Sequence, residues 1–105
     1  MLPDGHYAVP SRSGNYRLLW LKTVTGDLGE KDKGMFGKRI LYYKKGRGWC
    51  AFAFLNDDSS LKIHSKFLLT WSPEQLVTIR SAVMAIQQDP ESAKKLYEEL
   101  VTVKQ

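Results

Sequence analysis

Residues Lys38–Leu55, KRILYYKKGRGWCAFAFL, constrain this chain more than any other stretch. Two runs dense in β-favouring residues, Ile40–Tyr43 and Trp49–Leu55, flank Lys44-Lys45-Gly46-Arg47-Gly48, whose glycines give access to positive φ. The pattern predicts a β-hairpin. Strict alternation puts Trp49, Ala51, Ala53 and Leu55 on one face and Cys50, Phe52 and Phe54 on the other. Both faces are apolar, so an inner strand covered on at least one side is expected. At the turn, Lys44, Lys45 and Arg47 gather beside Tyr43 and Trp49, and the nearest acids along the chain are Asp32 and Asp57. Taken singly, each lysine also suits a solvated turn. Together, cations beside aromatic rings suit a base and its phosphate.

The neighbouring segments extend a sheet. His6–Val9 reads as a strand closed by Pro10, and Ser13-Gly14-Asn15 has the chemistry of a tight reversal into a second strand, Tyr16–Val24. Residues 25–37, TGDLGEKDKGMFG, show no periodicity, and four glycines with five charges predict a mobile loop. It matches neither a phosphate-cradling loop, because Met35 and Phe36 follow Gly34, nor a calcium loop. Met35 and Phe36 at its end are expected either to tuck onto the core or to anchor a partner. Leu61–Thr70 alternates cleanly, which predicts a fifth strand with Lys62, His64 and Lys66 along one polar side.

The period then changes to that of helices. Ser72, Pro73 and Gln75 form a capping signature, with Trp71 and Leu76 placed for a hydrophobic staple. Leu76, Ile79, Val83 and Ile86 follow helical spacing over 73–88. Asp89-Pro90 ends that helix and starts a second over 90–102, carried by Ala93, Leu96, Tyr97, Leu100 and Val101. The expected fold is α+β: one domain of 105 residues, an antiparallel sheet of about five strands over 5–70, then two short helices packed on one face.

The net charge of +5 is concentrated: residues 12–66 hold 12 Lys/Arg against 5 Asp/Glu. That asymmetry favours an acidic partner for the sheet half. No apolar run is long enough for a membrane span, and the N-terminus lacks a signal-peptide layout. A single cysteine, Cys50, excludes an internal disulfide, and a cytoplasmic protein is expected. Only His6 and His64 are available as histidines, without acids at catalytic or metal-binding spacing, so no catalytic residue, metal or cofactor is expected.

Arg47-Gly48-Trp49-Cys50-Ala51-Phe52-Ala53-Phe54 looks like the ribonucleoprotein motif of RNA-recognition domains. Ala51 stands where that family stacks a base and Phe52 replaces an aliphatic residue. Those domains also place a helix after their first strand, so the likeness is that of an inner strand following a basic turn. The two ends, Pro3-Asp4-Gly5-His6-Tyr7-Ala8-Val9 and Ala85–Tyr97, resemble small phage and actinobacterial proteins with a G-x-Y-A-V strand first and a D-P-x-x-A-x-x-x-Y helix pair last. This resemblance implies a phage or mobile-element origin. The four-cysteine knuckle that follows in many such proteins is absent, so no zinc-linked role carries over.

These features lead to a non-enzymatic binding domain contacting nucleic acid or a nucleic-acid-handling complex, with no small-molecule cofactor. Lys44, Lys45 and Arg47 would hold phosphates, Lys62 and Lys66 would extend the track, and Trp49 or Tyr43 would stack a base. The alternative is a phage-encoded inhibitor of a host defence nuclease, of anti-CRISPR type, using the same basic face or Phe36 as a wedge. A third reading is an assembly subunit that adds an edge strand to a neighbour.

Overall fold

The computed structural model describes residues 2–11, 13–25 and 36–103. Its fold is α+β. Five strands, β1 (Gly5–Pro10), β2 (Tyr16–Thr23), β3 (Arg39–Lys45), β4 (Gly48–Leu55) and β5 (Leu61–Ile63), form one antiparallel sheet in chain order. Three helices follow: α1 (Ser65–Thr70), α2 (Pro73–Gln88) and α3 (Pro90–Val103).

Strand alternation splits the sheet into two unlike faces. On one, Tyr7, Val9, Leu19, Leu21, Leu41 and Ile63 are buried together against Phe67, Ile79, Val83 and Ile86 of α1 and α2. This is the core face. The opposite face carries His6, Trp20, Tyr42, Trp49 and Phe54, all half-buried. α2 keeps its place through the expected capping box, in which Ser72 Oγ accepts from the Gln75 backbone N–H and Gln75 Oε1 accepts from the Ser72 N–H. α3 packs chiefly against β1, the first edge strand, which blunts one open edge of the sheet.

Two expectations about the strands need correction. First, Leu41 pairs with Ala53 while Tyr42 pairs with Ala51, so Phe52 is the extra residue of a β-bulge. The bulge resets the alternation. Cys50 and Phe52 point to the core before it and Ala53 and Leu55 after it, which leaves Trp49, Ala51 and Phe54 on the opposite face. Second, the fifth strand ends at Ile63. His64 caps α1, its Nδ1 accepting the Lys66 backbone N–H at 3.1 Å, so Lys62, His64 and Lys66 do not form one polar strand face. Ile63 and Phe67 are both buried, and a four-residue separation satisfies strand alternation and helical spacing alike.

The hairpin turn is tighter than expected. Lys45 pairs with Gly48, leaving Gly46 and Arg47 as a two-residue loop, and Gly46 supplies the positive φ of 60° that the first position of such a turn demands. Lys44 and Lys45 are therefore strand residues facing opposite ways. Most of the glycine-rich loop, including Met35, lies outside the described residues.

Candidate functional site

The face opposite the core is built in cross-strand rows. Lys22, Ile40, Phe54 and Lys62 are in register across β2, β3, β4 and β5. His6, Trp20, Tyr42 and Ala51 form the next row across β1 to β4. Aromatic rings link these strands to α3: Tyr97 stacks on His6 at 5.0 Å, His6 on Trp20 at 5.1 Å, and Trp20 on Tyr42 at 4.7 Å. Trp49 closes the group, its ring tilted against His6 at 5.3 Å and edge-on to Trp20 at 5.8 Å. β1 and β4 are three strand spacings apart, about 14 Å in a flat sheet, so twist and the reach of the indole bring these rings together.

Lysines sit over the rings on this face. Lys44 Nζ lies 5.1 Å from the Trp49 ring, Lys22 Nζ 5.5 Å from Trp20, and Lys38 Nζ 5.8 Å from Phe54. All are within the range in which an ammonium is attracted by an aromatic quadrupole. The strand residues on this face include no Asp or Glu. Among the described residues the one ion pair is Arg39–Asp4, at 3.0 Å. Asp58, in the turn after β4, is occupied locally, accepting from Ser60 Oγ at 2.6 Å and from its backbone N–H at 3.0 Å. Lys22, Lys38, Lys44 and Lys62 therefore bring positive charge to an aromatic surface, and among the described residues none of them is paired with a carboxylate. The field reaches His6, whose pKa is held below the ordinary 6.5 by burial first and by the Lys44 charge second.

Lys44, Trp49 and Lys62 share this face as the candidate group requires. Tyr43 does not: it faces the core, edge-on to Phe52, Phe67 and Trp71, and burial raises its hydroxyl pKa. It cannot stack a base without opening the core, and Tyr42 takes its place on the basic face. Lys45 points to the core side of the sheet beyond Tyr43. Lys66 lies on α1, with Nζ 5.6 Å from the Phe67 ring, and so departs from the track. Arg47 sits in the turn, where its carbonyl accepts from Lys44 Nζ at 3.2 Å. Phe36 is 68% exposed and does not tuck against the core. The seven residues of β3 put it roughly 24 Å from the hairpin turn, at about 3.4 Å per residue, so it belongs to no common patch with Lys44.

Sequence reasoning passed over Lys22, Lys38, His6, Trp20, Tyr42 and Phe54. The signal for Trp20 and Lys22 was their shared parity on β2, and for Tyr42, on β3, and Lys38, just before it, their shared parity with Lys44. Phe54 had no such signal, because the bulge reverses it. A separate open groove of about 690 Å³ lies between the β1–β2 turn and α2, lined by Val9, Pro10, Val77 and Ala85 among others. Among the described residues that line it, Arg17 and Glu74 carry charge. Among the described residues no three His, Cys, Asp or Glu side chains gather as a metal set, and no helix is long and apolar enough to cross a membrane. No protein-family model, curated protein or solved structure matches this chain.

Proposed function

We propose that this protein is a non-enzymatic binding module that takes nucleic acid on the basic aromatic face of its sheet. The observation that carries this reading is the repeated placement of a lysine over a ring, Lys22 on Trp20, Lys38 on Phe54 and Lys44 on Trp49, on a face whose strands bring no carboxylate. Phosphate neutralisation by such lysines supplies free energy through counterion release, and neighbouring rings add contact with bases. The resemblance of both chain ends to small phage and actinobacterial proteins supports a phage or mobile-element origin and work inside a host cytoplasm.

The test is fluorescence anisotropy with labelled DNA and RNA at about 50 and 200 mM salt. Binding at the lower salt, weakened at the higher, is expected for the wild type. A Lys44→Glu/Lys62→Glu variant should lose it. Absence of binding to any nucleic acid at low salt removes the reading.

A second reading, inhibition of a host defence nuclease by protein contact, is favoured by one observation: Phe36 is a large apolar side chain left 68% exposed at the end of the loop. Exposed aromatics of this kind concentrate binding energy in protein interfaces. A partner recovered from host lysate after nuclease treatment, and lost with Phe36→Ala but not with Lys44→Ala, would favour it.

A further inference from the structure

We infer that the nucleic acid is a single strand, with one base seated on Phe54 and the adjoining phosphates held by Lys22, Lys38 and Lys62. This inference rests on the reading above and names the substrate class of the same face.

Phe54 differs from the other rings there. Tyr97, His6, Trp20 and Tyr42 turn their faces to one another, so a base entering that series would have to separate packed rings. Among the described residues Phe54 has no aromatic neighbour; what lies over its ring is the exposed Lys38. A base displaces an ammonium from a ring at little cost, because the ammonium is then free to meet the phosphate that arrives with it. Phe54 is also half-buried between Ile40 and Lys62 in the register of the sheet, so its ring is held while Lys22, Lys38 and Lys62 around it are exposed. Lys22 and Lys62 lie at the two ends of this row, three strands apart, about 14 Å. The charge is therefore set on both sides of the ring, as a backbone passing across it requires.

A duplex cannot use this arrangement. Its base faces are covered by neighbouring bases, and only edges and phosphates are offered. A β-ribbon reads the major groove by projecting into it, but the β3–β4 hairpin does not project. β2 pairs alongside β3 to Leu19↔Tyr43 and continues three residues further, to Tyr16, so the turn at Gly46-Arg47 is level with the end of its neighbour. Unstacked bases, by contrast, are what an aromatic residue on a sheet face can receive, in DNA or RNA.

The experiment titrates the full chain into labelled oligo-dT and oligo-rU of roughly a dozen nucleotides and into a duplex of the same length, at one low salt concentration. Single strands should bind at least tenfold tighter than the duplex. Phe54→Leu, which keeps apolar volume but removes the π face, should weaken single-strand binding about fivefold or more and leave duplex binding unchanged. A 2-aminopurine placed in the strand should report stacking by a fluorescence change on the wild type, independently of how the variant folds. The two single-strand arms separate DNA from RNA, a preference for either being consistent with the assignment. Equal or tighter duplex binding, or a folded Phe54→Leu protein that binds single strands like the wild type, overturns the inference while leaving nucleic-acid binding intact. Binding to neither strand form removes both.

Discussion

His6 on β1 and Tyr97 on α3 stack face to face, with ring centroids 5.0 Å apart and planes 19° from parallel. This contact ties the last helix to the edge strand, on the face where α2 is not present to help. A stacked pair contributes about 0.5–1.5 kcal/mol beyond area burial, and half-burial of the Tyr97 ring adds to that. Tyr97→Ala should therefore destabilise the fold by about 2 kcal/mol, while Tyr97→Phe should stay within about 0.5 kcal/mol of wild type. Urea unfolding measures both. Hydrogen exchange should show α3 losing protection before α2, and equal loss in the two helices would mean that Tyr97 does not dock α3.

The same histidine makes stability depend on pH. Burial, then Lys44, lowers its folded-state pKa below 6.5, so the unfolded chain binds the proton first as pH falls. Stability from the neutral imidazole is fully present above the ordinary histidine pKa and is lost as pH drops from there through the lower folded value. Asp4 acts in a separate, more acidic window. Burial raises its pKa, but hydrogen bonds from Thr23 and Arg39 and the Arg39 charge outweigh that and bring it below 3.8. Denaturant midpoints between pH 8 and about pH 5 should fall for the wild type and stay flatter for His6→Phe, which keeps a ring in the stack. An unchanged slope in the variant would exclude His6 as the source.

Ser59 adopts a left-handed backbone, with φ of 71°, in the β4–β5 turn closed by Asn56 and Ser60. An L-residue there costs about 1–2 kcal/mol, against a smaller entropic cost for glycine. Its carbonyl also accepts from Gln87 Nε2 at 3.0 Å, a contact that glycine preserves. Ser59→Gly should gain about 0.5 kcal/mol and raise the thermal midpoint by about 2–4 °C, while Ser59→Val should lower it. Calorimetry on the two variants reads the sign directly.

What was legible in the sequence was what local chemistry settles. Ser72, Pro73 and Gln75 announce the start of α2 by hydrogen bonds within one turn, and Asp89-Pro90 separates the two long helices for the same reason. Less legible was anything that depends on counting by twos through an irregularity. The unpaired Phe52 parts Phe54 from Cys50 and Phe52, with which strict alternation groups it, and sends Ala53 to the core in its place, and no residue type announces it. Tyr42 and Tyr43 are adjacent and chemically alike, yet one joins the basic face and the other packs under Trp71. The site was thus half visible: Lys44, Lys62 and Trp49 stood out in the sequence, but Lys22, Lys38 and the other rings depended on which face each strand residue takes.

That dependence on facing gives the last prediction, in the adjacent pair Lys44 and Lys45. Both are exposed and carry the same charge, and by sequence they are interchangeable. In the sheet they are not: Lys44 stands across from Trp49 with Nζ 5.1 Å from its ring, while Lys45 pairs with Gly48 and points to the core side of the sheet. If nucleic acid lies on the aromatic face, Lys44→Ala removes one phosphate contact and Lys45→Ala removes none. Lys44→Ala should weaken single-strand binding several-fold and make the dependence of log K on log salt shallower by about 0.7. Lys45→Ala should change affinity less than about twofold and leave that slope alone, since distance and screening reduce its contribution. Titrations of both variants at three salt concentrations make the comparison. Equal losses would mean that the ligand wraps the hairpin end, and larger losses for Lys45 would move the binding surface to the other side of the sheet.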